Sequence, residues 1–111
     1  MLPKANRLTR KKDFETVFKV GKGSKSDFLI FKAVKNNLPE SRFGFVVSKK
    51  VSTKATVRNL VKRRLRAAVA ANLETLKSKK PSDVIIIALP SVKEKDFKSI
   101  KETVTTIIKH V

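Results

Sequence analysis

Arg58, Lys62 and Arg66 recur at i, i+4 and i+8, with Asn59 and Arg63 beside them, in a stretch from Lys49 to Arg66 that holds no carboxylate. On a helix this spacing draws one cationic stripe along a single face. Phosphate suits such a stripe: arginine offers bidentate forks and flat planes for exposed bases, and lysine adds point charge. Asn59, in the middle, can donate to and accept from a base edge or a ribose 2′-hydroxyl. Lys54, with Thr53 or Thr56, stands at the predicted start of the same helix, where unsatisfied backbone N–H groups also favour phosphate. These residue types alone permit RNA and DNA equally.

Other chemistries lack their residues. His110 is the single histidine and cysteine is absent, which excludes disulfides, thiolate or imidazole metal clusters, and cysteine or Ser-His-Asp nucleophiles. The nine acids are scattered, and Asp13 and Glu15, two apart on a predicted helix, do not face each other. Glu94 and Asp96 suit the first turn of the last helix. We therefore assign no catalytic residue and no metal ligand. A nuclease acting alone would need convergent carboxylates. All seven aromatic residues are phenylalanine, so aromatic roles reduce to stacking and apolar contact.

The whole-chain charge agrees with the stripe. Against 27 Lys and Arg stand 9 Asp and Glu, a formal net charge of +18, with a pI near 10.7. Residues 41–73 carry nine of the basic residues and none of the acids, so a coherent positive field builds there and a polyanion relieves the self-repulsion. The chain length of 111 residues predicts one domain over 1–111, and 41% apolar residues suffice for a small core. No apolar run reaches membrane-spanning length, and residues 1–20 are charged where a secretory signal would be apolar. The expected location is cytoplasmic.

The elements that must position these residues follow from periodicity. Residues 1–8 lack it and read as an extended arm. Phe14, Val17 and Phe18 predict a helix over 10–20, with Thr9 as N-cap and Gly21 at its end. Residues 21–26 are turn-rich with a short edge strand at most. Residues 28–34 read as a strand, 36–41 as a hairpin loop, and 43–48 as a second strand antiparallel to the first, with Phe43, Phe45 and Val47 on one face. From Ala55 to Leu76 no Gly or Pro interrupts a helix whose apolar side is Val57, Leu60, Val61, Leu65, Ala68, Asn72 and Leu76. Arg64 falls inside that arc, so its stem should lie along the edge and its guanidinium snorkel outward. Residues 84–89 are apolar on both faces and should form a central strand. Phe97, Ile100, Val104, Ile107 and Ile108 predict a final helix. The order is α-β-β-α-β-α, an α+β fold.

The pattern Ala55-Thr-Val-Arg-Asn-Leu-Val-Lys-Arg-Arg-Leu-Arg66 resembles the signature helix of the bacterial ribonuclease P protein component. Three further blocks, 7–21, 45–51 and 83–88, resemble that family's other segments in the same order. Arg58, Asn59, Lys62, Arg63 and Arg66 match residue by residue. One position departs: the third residue of the family's usual Arg-Asn-Arg is Leu60 here.

The resemblance implies a two-layer sandwich of order α-β-β-β-α-β-α, with a four-stranded mixed sheet, a strand over Lys22–Ser26, and an unusual left-handed crossover through the long helix. It implies a subunit that binds a catalytic RNA through Lys54, Arg58, Asn59, Lys62, Arg63 and Arg66. It further implies a cleft for the 5′ leader of precursor tRNA between the first helix and the sheet. Phe14, Phe18, Phe31, Lys49 and Lys50 are material for that cleft, although phenylalanine at helical spacing is also what a core uses. Magnesium would be held by the RNA subunit and substrate, with no dedicated protein site, and the protein alone would be inactive. Neither a membrane nor an obligate protein partner is expected. The competing reading of composition alone is a general RNA- or DNA-binding protein, ribosomal or nucleoid-associated.

Overall fold

The computed structural model describes residues 2–111; Met1, the first residue of the expected arm, lies outside them. The helices are α1 (Lys11–Val20), α2 (Ala55–Ala70), α3 (Leu73–Lys77) and α4 (Phe97–His110), and the strands are β1 (Lys22–Ser26), β2 (Leu29–Lys35), β3 (Arg42–Val46) and β4 (Ser82–Ala88). The sheet order is β1-β2-β4-β3, with β1/β2 and β2/β4 antiparallel and β3/β4 parallel. The fold is α+β with a mixed sheet, and its β1 is the Lys22–Ser26 strand that the resemblance implied and local propensity rated weak.

The expected hairpin between β2 and β3 is not there. The two strands run in opposite directions, as expected, but β4 inserts between them. Residues 36–41 instead carry the chain past the start of β4. Asn36 Oδ1 accepts the Leu38 N–H at 2.8 Å, Asn37 adopts a left-handed φ of 56°, and Asn36 Nδ2 donates to Asp83 Oδ1 at 2.8 Å. A six-residue polar loop reads the same from sequence whether it turns back beside its strand or steps over a neighbour. The doubly apolar β4 is the discriminating element, since only a central position buries both its faces.

The N-terminal arm also differs from expectation. Leu2, Asn6 and Leu8 are buried, Lys4–Asn6 forms a 3₁₀ turn, and the Leu8 N–H donates to the Phe43 carbonyl at 2.9 Å, so the arm is stitched to the outer edge of β3. The N-cap position of α1 is Arg10 rather than Thr9, and no side chain caps the helix start. Gly21 closes α1 with an extended φ of −70°, and a Cβ there would lie 2.4 Å from the Val17 carbonyl oxygen. Close approach, not left-handed backbone, is what requires glycine at that position.

The helix expected from Ala55 to Leu76 breaks at Ala71–Asn72. Asn72 Nδ2 donates to the Ala68 carbonyl at 2.9 Å, the acceptor its own N–H would use in a continuing helix, while that N–H turns to Val69 O at 2.9 Å. The side chain thus competes with the helical ladder. At the other end of the chain, Asp96 caps α4 by accepting the Ser99 N–H at 2.8 Å. That bond holds the Asp96 carboxyl below its ordinary range.

Strand alternation sorts the core into two unequal parts. On one face Leu29, Phe31, Phe43, Val84, Ile86 and Ala88 pack beneath α2 and α4 in the main cluster. On the other, only Leu8, Val17 and Ile85 are fully buried, with Phe14, Val34, Val46 and Ile87 packed against them.

Candidate nucleic-acid interface

α2 forms because its inner residues Val61, Leu65, Ala68 and Val69 are buried in the main core, and this packing turns the charged stripe outward. Asn59 and Arg63 are exposed, and Arg58, Lys62 and Arg66 are half-buried. Arg58 does not simply face solvent. Its Nη1 donates to the carbonyls of Ser52 and Thr53 at 3.0 and 2.9 Å, tying the helix start to the preceding loop and presetting the guanidinium plane. Lys54 is exposed at the N-cap, where its N–H donates to Ser52 Oγ at 3.1 Å. Leu60, expected in the apolar arc, is 38% exposed and lies on the rim of the basic face. Arg64 is half-buried, and its guanidinium, expected to snorkel outward, instead turns to the Lys95 carbonyl, to which Nη1 donates at 3.4 Å.

Lys62 and Arg66 meet a second region. Together with Arg7, Thr9 and Phe14 they line a small cavity of about 130 Å³ between α2, the arm and β3. The stripe therefore continues around the outer edge of the sheet toward α1.

α1 covers only part of its face of the sheet. Phe14 lies against Gly44, where a Cβ would stand 2.4 Å from the ring Cζ, so this glycine is the seat for the aromatic ring. Phe18 is 41% exposed. Lys32 Nζ sits 5.8 Å from the Phe18 ring centroid and donates to the Phe18 carbonyl at 3.0 Å. Beyond α1, Ile30, Ile87 and Val46 are in register across β2, β4 and β3, and all three are only half-buried. Lys49 and Lys50 are exposed in the turn that follows β3. The partly open apolar row, the exposed Phe18 ring and Lys32 beside it offer a face of the kind that suits a flexible polyanion with flat bases.

Phe31, expected on this face, does not belong to it: the ring is 7% exposed and packs in the main core on the opposite face, paired in register with Ile86. Lys32, Ile30, Val46 and Ile87, which sequence reasoning missed, lie partly open on the α1 face. The missed signal was parity, because each alternates with a residue of the main core. His110 is exposed, with Nδ1 2.8 Å from the Thr106 carbonyl oxygen, a contact within its own helix. A cavity of about 570 Å³ lies between β1, β2 and the end of α4; Val20 and Phe31 reach its lining and no residue of α2 does.

Among the described residues no three His, Cys, Asp or Glu side chains gather to hold a metal ion. Among the same residues no helix is long and apolar enough to cross a membrane.

Residues 2–111 match the family model described as Ribonuclease P. A ribonuclease P protein component from Syntrophomonas wolfei is 33% identical over 109 residues, covering 98% of this chain and 89% of the relative. One from Synechocystis is 43% identical over 90 residues, covering 80% and 71%. Among solved structures, a Thermotoga maritima RNase P protein in complex with 1-(4-fluorophenyl)-2-thiourea superposes with a TM-score of 0.85 at 31% identity, covering 95% of this chain and 99% of that one. A Staphylococcus aureus RNase P protein mutant gives 0.84 at 25% identity, covering 96% and 87%.

Proposed function

The chain belongs to the ribonuclease P protein family, and from that premise we propose how it divides its surface between two RNA ligands. The family's role is that of a ribonuclease P subunit in maturing the 5′ end of tRNA. In our reading Lys54, Arg58, Asn59, Lys62, Arg63 and Arg66 contact the RNA subunit, chiefly at phosphates. The groove beside α1, with Phe14, Phe18, Lys32 and the half-exposed row Ile30, Ile87 and Val46, receives the single-stranded leader of precursor tRNA. Lys49 and Lys50 flank its open end.

One observation supports this division above the others: the basic stripe of the acid-free segment lies along α2, and its Lys62 and Arg66 line one small cavity together with Phe14. A phosphodiester chain can follow such a path without sequence choice. We assign the hydrolytic step to magnesium held by the RNA subunit and substrate, so that the protein contributes charge neutralisation and binding. The working location is the cytoplasm.

The test is the salt dependence of RNA-subunit binding. Replacing Lys62, Arg63 or Arg66 with Ala should weaken binding and reduce the magnitude of the log–log salt slope by about 1 for each phosphate no longer neutralised. Slopes unchanged in all three variants would remove the α2 face from the RNA interface.

A further inference from the structure

Arg42 opens β3 directly across from Asp83 of β4. Its Nε and Nη2 donate to the two carboxylate oxygens at 2.8 and 2.6 Å, a bidentate fork on a side chain only 10% exposed. Asn36 Nδ2 donates to the same carboxylate at 2.8 Å, so Asp83 itself is held. Two of the three guanidinium nitrogens are thereby fixed. Because the group is planar and rigid, the direction of the third is fixed with them. That third nitrogen, Nη1, lies 3.4 Å from Asp13 Oδ2, in the first turn of α1.

The place of Asp13 gives this ion pair its consequence. It immediately precedes Phe14 and stands five residues before Phe18. α1 otherwise rests on the sheet through one fully buried side chain, Val17, the half-buried Phe14 and, near its C-terminal end, the Lys32 Nζ bond to the Phe18 carbonyl. With few buried side chains between α1 and the sheet, the start of the helix can shift unless it is held, and a charge partner fixed there opposes that motion. We propose that Arg42 is a positioning residue: clamped by Asp83, it holds Asp13 and thereby sets the seat of α1, so that Phe14 and Phe18 face the open floor of the groove. The inference rests on the leader-groove reading above. It adds to that reading a residue that touches no RNA.

Four proteins are compared, each reconstituted with the RNA subunit: the unaltered chain, Asp13→Ala, Phe18→Ala and the double variant. The readout is the ratio of precursor-tRNA to mature-tRNA affinity, with urea unfolding of each protein alongside. Asp13→Ala should lower the ratio by at least about threefold, the scale of a remote positioning effect, with mature-tRNA affinity and the urea midpoint nearly unchanged. If Asp13 acts through the aromatic wall, the double variant should be no worse than Phe18→Ala alone. Additive losses would overturn the proposal, as would a fall in both affinities together with the urea midpoint, because either marks an ion pair that only stabilises. An unchanged ratio in Asp13→Ala beside a lowered one in Phe18→Ala would overturn the positioning role and leave the leader groove standing. No change in either would remove the leader groove itself, and the positioning role with it.

Discussion

On the sheet face that α2 and α4 cover, Leu29, Phe31, Phe43, Val84, Ile86 and Ala88 are all buried, whereas on the face that α1 partly covers, Ile30, Lys32, Val46 and Ile87 remain partly open to solvent. The same strands supply both sets, one residue apart. The first face unites residues from Leu2 to Ile108 in a single cluster; the second has three fully buried residues. Because hydrophobic stabilisation scales with apolar area removed from water, most of it comes from the first face. A fold secured from one side leaves the other open to a ligand without loss of order.

That asymmetry can be broken at chosen positions. The largest effect should come from Phe31→Ala, which removes a ring from the main core and should lower unfolding stability by about 3–5 kcal/mol. In the fraction that remains folded, the precursor-to-mature affinity ratio should be unchanged. A lowered ratio with native stability would return Phe31 to the groove.

Next comes Gly44→Ala. The added Cβ would meet Phe14 Cζ at 2.4 Å and Cε1 at 2.7 Å, so α1 or the ring must shift, at a cost of about 1–3 kcal/mol in urea unfolding. Combining it with Phe14→Ala should recover part of that stability, since the clash vanishes with the ring. Failure to recover any would place the strain in the backbone of β3 instead.

Phe18→Ala should alter folding least, by less than about 0.5 kcal/mol, as for an exposed side chain. It should nevertheless weaken precursor binding by about 1–3 kcal/mol if one base stacks on the ring. Phe18 and Phe31 thus form an opposed pair, one expected to read out in binding and the other in stability.

How much of this is legible in the sequence depends on the element. β4 announces its central place through apolar residues on both faces, and the α2 stripe through spacing alone, because each signal is local. The neighbour of β3 is not legible: strand direction follows from the chain's turn, but pairing depends on β4, some forty residues further along. Asn72 reads as a helical position because its break arises from a side-chain bond to Ala68 O and from its Thr105 partner on α4. Residue type suggests the groove for Phe31, whereas its parity with Leu29 already assigns it to the core face. Lys32 looks like an ordinary solvated lysine, and only the seating of α1 brings it to the Phe18 ring.

The central claim, that the open face of the sheet receives the leader, is tested most directly by shortening the leader of precursor tRNA one nucleotide at a time and measuring affinity with and without the protein. The protein-dependent gain should rise with leader length until the groove is filled and then level off, and Phe18→Ala should flatten the rise. A gain that is equally large for tRNA with no leader would contradict the claim.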